Sequence, residues 1–318
     1  MNKYQSILLI TDALTEHGFT CEKLRIEGAA YRKFTKGSKI WLTPTKYVNY
    51  PFVSRTLRLL SVQKHLAYEY VHSQGYAVPE TTVYKVDEPV NLPTSLLERP
   101  LVVKPANGSG STDIIRDITD ASALLAAIEQ VHLSGCDALA QNQFTGQEIR
   151  LTVIDGEVAA ACLHAVPQLV GDGKHTIAEL LATENHARAA LVFPHVTYAQ
   201  MTPELITIPH DMARVPAPNE IIKLSESVIF AGGLSLYSVD DELHASYKDI
   251  GTDLARKLHT SFLVIDLLVD DYRQAATPTN YVFLEFNTAP SVRVYYGFRD
   301  GKHFDILPRL VQKIEAEL

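Results

Sequence analysis

A mixed α+β fold, with strands, helices and hairpins interleaved, is what this sequence predicts. Three observations carry that expectation. Short apolar runs rich in Val, Ile, Leu and Phe alternate along the chain with longer stretches of helical period. Asp155-Gly156 separates two such runs, Glu148–Ile154 and Glu157–Leu163, which is a strong hairpin signal. Thr176-Ile-Ala-Glu179 is a capping box that opens a helix running to about Leu191.

In chain order, Ser6–Ile10 reads as a strand followed by a helix-like stretch to Gly18, then β-rich segments around Lys23–Ile26 and Lys39–Leu42. Pro44 and Pro51 bracket a polar connection. From Arg55 the pattern turns helical, with Leu59, Leu66 and Tyr70 on one face, and Gly75 with Pro79 ends it. Strand-like Thr81–Val86 and Leu101–Lys104 come next, then an Ala/Leu-rich helix over Asp120–His132, closed near Gly135. Ala138–Phe144 reads as another strand. Five prolines between Pro194 and Pro218 mark a loop-rich excursion. A helix near Tyr247–Leu258 precedes two apolar strands, Phe262–Val269 and Tyr281–Phe286.

Composition narrows the function. The 318 residues carry 29 Lys or Arg against 37 Asp or Glu, a net charge of −8, and 46% of them are apolar. That much apolar side chain can offset ordering entropy, so a disordered or fibrous chain is excluded. A length of 318 suggests two domains, or one large fold with an appended piece. An acidic chain with no basic block argues against duplex nucleic acid as a partner, although a small polyanion in a local basic cleft stays open. Apolar runs such as Ile7–Ile10 and Phe262–Ile265 are too short to span a bilayer, and the first is too short for a signal-peptide core. Cys21, Cys136 and Cys162 form no CxxC pair, so reduced thiols and a cytoplasmic setting are expected.

The chemistry concentrates late in the chain. Phe262–Val269 is apolar except for Asp266, and a lone buried carboxylate must find a partner or a cation. Phe283-Leu-Glu285-Phe-Asn287 places an acid and an amide two residues apart, on one face of a strand. If the strands are neighbours, Asp266, Glu285 and Asn287 converge as oxygen ligands suited to Mg²⁺. Equally open is a pair of buried salt bridges, with Asn287 capping a turn. Val103-Lys104-Pro105 runs into a small-residue loop that could offer an ammonium and backbone N–H groups to phosphates, yet it is neither a Walker loop nor a Rossmann fingerprint. Val170-Gly-Asp-Gly-Lys-His-Thr-Ile177 fits a tight structural turn, and Asp240-Asp-Glu-Leu-His244 a solvated acidic face.

Taken in order, the sequence resembles the ATP-grasp carboxylate–amine ligases, most nearly the ATP-grasp part of cyanophycin synthetases and bifunctional glutathione synthetases. The resemblance runs from about Ser61 to Pro290. It rests on Lys64 ahead of Gly75-Tyr-Ala-Val-Pro79, Val102-Val-Lys104-Pro105, Phe144-Thr-Gly146-Gln-Glu148-Ile-Arg150 and Val170–Leu180. Gly232-Gly233, His244, Asp266 and Phe283–Pro290 complete it.

It implies an ATP-grasp fold of two α+β subdomains clamping ATP, with a short N-terminal region over 1–60, an ATP-grasp domain over 61–318 and a lid over about 80–146. By the same resemblance Lys64 and Lys104 contact the ATP phosphates, and Ser109, Gly110 and Ser111 belong to a loop closing over them. Gln141, Asn142 and Phe144 line the adenine, with Gln141 where the family has a glutamate, and Glu148 joins the nucleotide-binding set. Asp266, Glu285 and Asn287 hold two Mg²⁺ ions, and Arg150 and Arg293 face phosphate or an acyl-phosphate as catalytic groups. The implied activity joins an amino-acid or peptide carboxylate to an amine. An ATP-grasp small-molecule kinase and a nucleotide-binding protein without turnover are the alternatives. No nucleic acid or membrane partner is expected, and a homodimer is an assembly the resemblance admits.

Overall fold

The computed structural model describes residues 5–46, 48–92, 98–107, 113–191, 200–203, 206–225, 235–296 and 303–318, without the side chains of Gln5 and Arg293. The chain forms two compact units. One comprises Met1–Val53, Ala159–Asp241 and Ala289–Leu318; the other comprises Ser54–Val158 and Glu242–Thr288.

The first unit begins with α1 (Gln5–Glu16), followed by β1 (Thr20–Ile26), β2 (Ala29–Lys36) and β3 (Lys39–Pro44). The expected strand at Ser6–Ile10 is thus part of one helix. Ile7, Ile10 and Leu14 are buried at spacings of three and four, a helical stripe that a four-residue apolar run conceals. Strand β2 fills the gap between the two predicted β segments, and pairs antiparallel with β1 and β3. Its polar Tyr31-Arg-Lys sequence hid it, because a sheet with one wet face needs few apolar residues. Glu27 and Gly28, both at positive φ (48° and 80°), make the turn between β1 and β2.

In the second unit come α2 (Arg55–Val62), α3 (Lys64–Ser73), β4 (Thr81–Tyr84), β5 (Leu101–Pro105), β6 (Ile115–Ile118), α4 (Ala121–His132), β7 (Ala138–Asn142) and β8 (Gln147–Ile154). The single helix expected from Arg55 is interrupted at Gln63, whose backbone is extended (φ −104°, ψ 93°) and forms a bridge to Asn107. Asp120 caps α4 by accepting the Ala123 N–H at 2.9 Å. Strands β4, β7, β5 and β6 form an antiparallel sheet in that order. Alternation then sorts its side chains. Leu101, Val103, Ala138 and Ala140 pack into a core with Leu124, Ile128 and Val131 of α4, which leaves Lys104, Leu139 and Gln141 to the opposite face.

Asp155-Gly156, at φ 53° and 80°, leads into β9 (Glu157–Ala165). In the first unit β10 (Gln168–Val170) pairs with β11 (Ile221–Lys223), α5 (Ile177–Ala190) lies between them in sequence, and β12 (Ser235–Ser238) pairs with β9. The second unit resumes with α6 (Ala245–Lys257), β13 (Phe262–Val269) and β14 (Tyr281–Asn287); a 3-10 turn (Val292–Tyr296) and α7 (Leu307–Glu317) return to the first. Strand β13 lies between β8 and β14, antiparallel to both, and is almost wholly buried. No helix among the described residues is long and apolar enough to cross a membrane.

Candidate functional site

All the site residues whose side chains are described lie in the second unit, and strand register aligns three of them. Asp266 on β13 is directly opposite Arg150 on β8 and Glu285 on β14, so three ionic side chains form one row across three strands. Arg150 donates from Nε to Asp266 Oδ1 and from Nη2 to Oδ2, both at 2.6 Å, a bidentate pair between two buried residues. Asn287, two residues beyond Glu285, donates from Nδ2 to Asp266 Oδ2 at 2.8 Å and to Glu285 Oε1 at 3.3 Å.

A bulge follows this row. The register slips between Asp266 and Leu267, so Leu284 opposes no residue of β13. Its carbonyl accepts instead from the Tyr68 hydroxyl, at 3.1 Å.

The two lysines approach from elsewhere in the unit. The break at Gln63 makes Lys64 the first residue of α3, where its N–H donates to the Ala106 carbonyl at 3.1 Å. Lys64 Nζ lies 3.5 Å from Glu285 Oε2. Lys104 is 8% exposed, with its ammonium 5.4 Å from the centre of the Tyr68 ring. Burial pushes that ammonium down to about 8; the carboxylates of Glu285 and Glu148 pull it up, and Arg116 pushes it further down.

Tyr68 connects these parts, and sequence reasoning missed it. Besides its bond to Leu284 and its contact with Lys104, its hydroxyl is bonded by the Gln141 side chain, and its ring meets Phe283 edge-on at 6.1 Å. Burial raises the hydroxyl above the ordinary tyrosine range. The available signal was its spacing, four residues from Lys64 and so on the same helical face.

The structure therefore gathers Lys64, Lys104, Arg150, Asp266, Glu285 and Asn287, with Glu148 close enough to act on Lys104 and Gln141 joined through Tyr68. Gln141 is 1% exposed and donates from Nε2 to Thr81 Oγ1 at 2.6 Å. Asn142 turns aside and donates to Glu80 Oε2 at 2.7 Å. Phe144 lies beside Gly146, where a Cβ would stand only 2.4 Å from the Val269 carbonyl oxygen; only glycine lets the start of β8 pass there. Ser109, Gly110, Ser111 and the Gly232-Gly233 pair lie outside the described residues, as does the Arg293 side chain.

The salt-bridge alternative describes the contacts seen: Asp266 pairs with Arg150, and Glu285 with Lys64. Asn287 does not cap a turn but bridges the two carboxylates. Among the described residues no three His, Cys, Asp or Glu side chains could hold a metal together. Two carboxylates and one amide nonetheless have the hard-oxygen chemistry of a Mg²⁺ site that water and phosphate complete, so the donor set fits that ion.

No family model matches the chain. It is 24% identical over 277 residues to the glutathione biosynthesis bifunctional protein of Pasteurella multocida, covering 82% of this chain and 36% of that protein. To the cyanophycin synthetase of Trichormus variabilis it is 22% identical over 252 residues, covering 76% of this chain and 28% of that one. The chain thus spans about a third of the length of the curated relatives it matches. The crystal structure of the bifunctional glutathione synthetase from Pasteurella multocida superposes with a TM-score of 0.67 and 20% identity, covering 98% of this chain and 44% of that chain. The chain has the mixed α+β, ATP-grasp fold of that synthetase, and over most of its length its sequence is similar to bifunctional glutathione synthetases and to cyanophycin synthetase.

Proposed function

We propose that the chain is an ATP- and Mg²⁺-dependent ligase that activates an amino-acid or peptide carboxylate as an acyl-phosphate and joins it to an amine. The row of Arg150, Asp266 and Glu285, closed by Asn287 and two lysines, carries this reading. Similarity to synthetases that form amide bonds favours it over a kinase or a protein that only binds nucleotide.

In this reading Lys64 and Lys104 hold the nucleotide phosphates, Gln141, Asn142 and Phe144 line the base, and Glu148 belongs to the nucleotide-binding set. Residues 80–146 form the lid, to which Ser109, Gly110 and Ser111 belong. Asp266, Glu285 and Asn287 would hold two Mg²⁺ ions. Bound there, the metal and ATP would supply a polarised γ-phosphoryl group for an incoming carboxylate. Arg150 and Arg293 offset the negative charge that builds up as the carboxylate attacks. The low ammonium of Lys104 suits a group whose full charge is called up by an arriving polyanion. No side-chain nucleophile is needed.

Incubation with ATP, Mg²⁺ and a panel of amino acids and dipeptides tests this. ADP release that needs both an acid and an amine is expected. Release with an alcohol acceptor alone would make the chain a kinase, and binding without release a nucleotide carrier. Glu285→Gln, which removes a charge at little change of shape, should lower ligase turnover by more than about a hundredfold.

A further inference from the structure

We infer that Arg150 and Lys64 are internal counter-ions that close the cation site until a nucleotide draws them away, so that a divalent cation binds only together with nucleotide. The inference rests on the ligase reading, and concerns what those two side chains do before anything binds.

Charge arithmetic supplies the argument. Asp266 and Glu285 contribute two negative charges; Arg150 and Lys64, their direct partners, contribute two positive ones, for a sum of zero. Around them Lys104 and Arg116 add two positive charges and Glu148 one negative, which leaves the sum at +1. A bare divalent ion arriving here meets no surplus negative charge. Each carboxylate it needs already has a cation against it, at 2.6 Å for Asp266 and 3.5 Å for Glu285. Both oxygens of Asp266 are engaged by Arg150, and Asn287 directs its N–H₂ group, not its carbonyl, at the two carboxylates. A cation ligand would have to present oxygen, so the amide must turn over as well.

Burial makes the lock firm. Leaving a buried carboxylate without its guanidinium is costly, so Arg150 leaves only for another anion of equal worth. A triphosphate is such an anion, because arginine takes phosphate in the same two-pronged manner as carboxylate. The exchange frees Asp266 and Glu285 at the moment the phosphates require a cation.

Calorimetry with Mn²⁺ as the probe separates the outcomes. Wild-type protein should bind Mn²⁺ alone at least about tenfold more weakly than in the presence of a non-hydrolysable ATP analogue. Lys64→Met and Arg150→Met should each tighten nucleotide-free Mn²⁺ binding by about tenfold, the worth of one removed cation in a partly buried site. Lys64→Met decides the matter if Arg150→Met fails to fold. Equal Mn²⁺ affinity with and without the analogue, or variants that bind Mn²⁺ no better than wild type, would overturn the inference while leaving the ligase reading intact. Failure of wild-type protein to bind the analogue and Mn²⁺ together would remove both.

Discussion

Two charged segments of this chain differ sharply in structure. The row of Arg150, Asp266 and Glu285 lies in the second unit; its Arg150–Asp266 pair joins side chains 116 residues apart and is buried. The Asp172–His175 segment of the first unit joins side chains three residues apart, in water. Asp172 Oδ1 accepts the N–H groups of Lys174 and His175, both at 2.9 Å, while Oδ2 meets His175 Nδ1 at 2.5 Å. The capping box follows at once: the Thr176 N–H donates to Glu179 Oε2 at 2.8 Å, and the Glu179 N–H to Thr176 Oγ1 at 3.2 Å. Gly173 makes the turn at φ 73°, and a Cβ there would press on Pro218 at 2.7 Å. One cluster pairs charges across three strands; the other finishes a turn. Burial and sequence separation distinguish them, not residue type.

The strongest way to break that contrast is to cut the buried row. Arg150→Met should cost about 3–5 kcal/mol in urea unfolding, because Asp266 is left buried without its counter-charge, with only the Asn287 amide still bonded to it. Adding Asp266→Leu should restore most of the loss. A single-variant cost no larger than that of an exposed pair would erase the distinction. Thr176→Ala, in the local cluster, should cost about 1 kcal/mol, the worth of one cap, with no effect on nucleotide affinity.

A smaller effect sharpens the electrostatic side. At pH 8 Lys104 has lost about half its protons, since burial disfavours its ammonium, and phosphate anions favour the charged form. Nucleotide binding at that pH should therefore take up about half a proton, read from calorimetry in buffers of different ionisation enthalpy. Its affinity should fall as pH rises above 8.

The smallest effect belongs to His175, which the hydrogen bond and charge of Asp172 raise above the ordinary histidine value. Its imidazole titration by NMR should have a raised midpoint, and Asp172→Asn should return it to normal. The stabilisation from this pair is complete below the ordinary histidine value and disappears as pH rises through the raised midpoint.

Much of this was legible in the sequence because it is local. The capping box, the Asp155-Gly156 turn, and strands β13 and β14 announce themselves within a few residues. The lone carboxylate in β13 announced that it needed a partner, and register supplied Arg150. What stayed hidden depended on distant contacts. Gln63 breaks a helix whose own propensity gives no reason to stop, since its bridge is to Asn107. Tyr68 gains its place only once Leu284, Gln141 and Lys104 surround it. Helix α1 was misread because Ile7–Ile10 satisfies either period until its buried face is known.

The extra residue at Leu284 constrains the protein in its own way. What Tyr68 takes from that position is a main-chain oxygen, which every amino acid provides. A change of side chain there should therefore disturb this contact far less than a change of spacing. Losing one residue between Tyr281 and Glu285 would carry the acid out of line with Asp266 and leave the tyrosine without its acceptor. At that spot the fold depends on counting rather than on spelling.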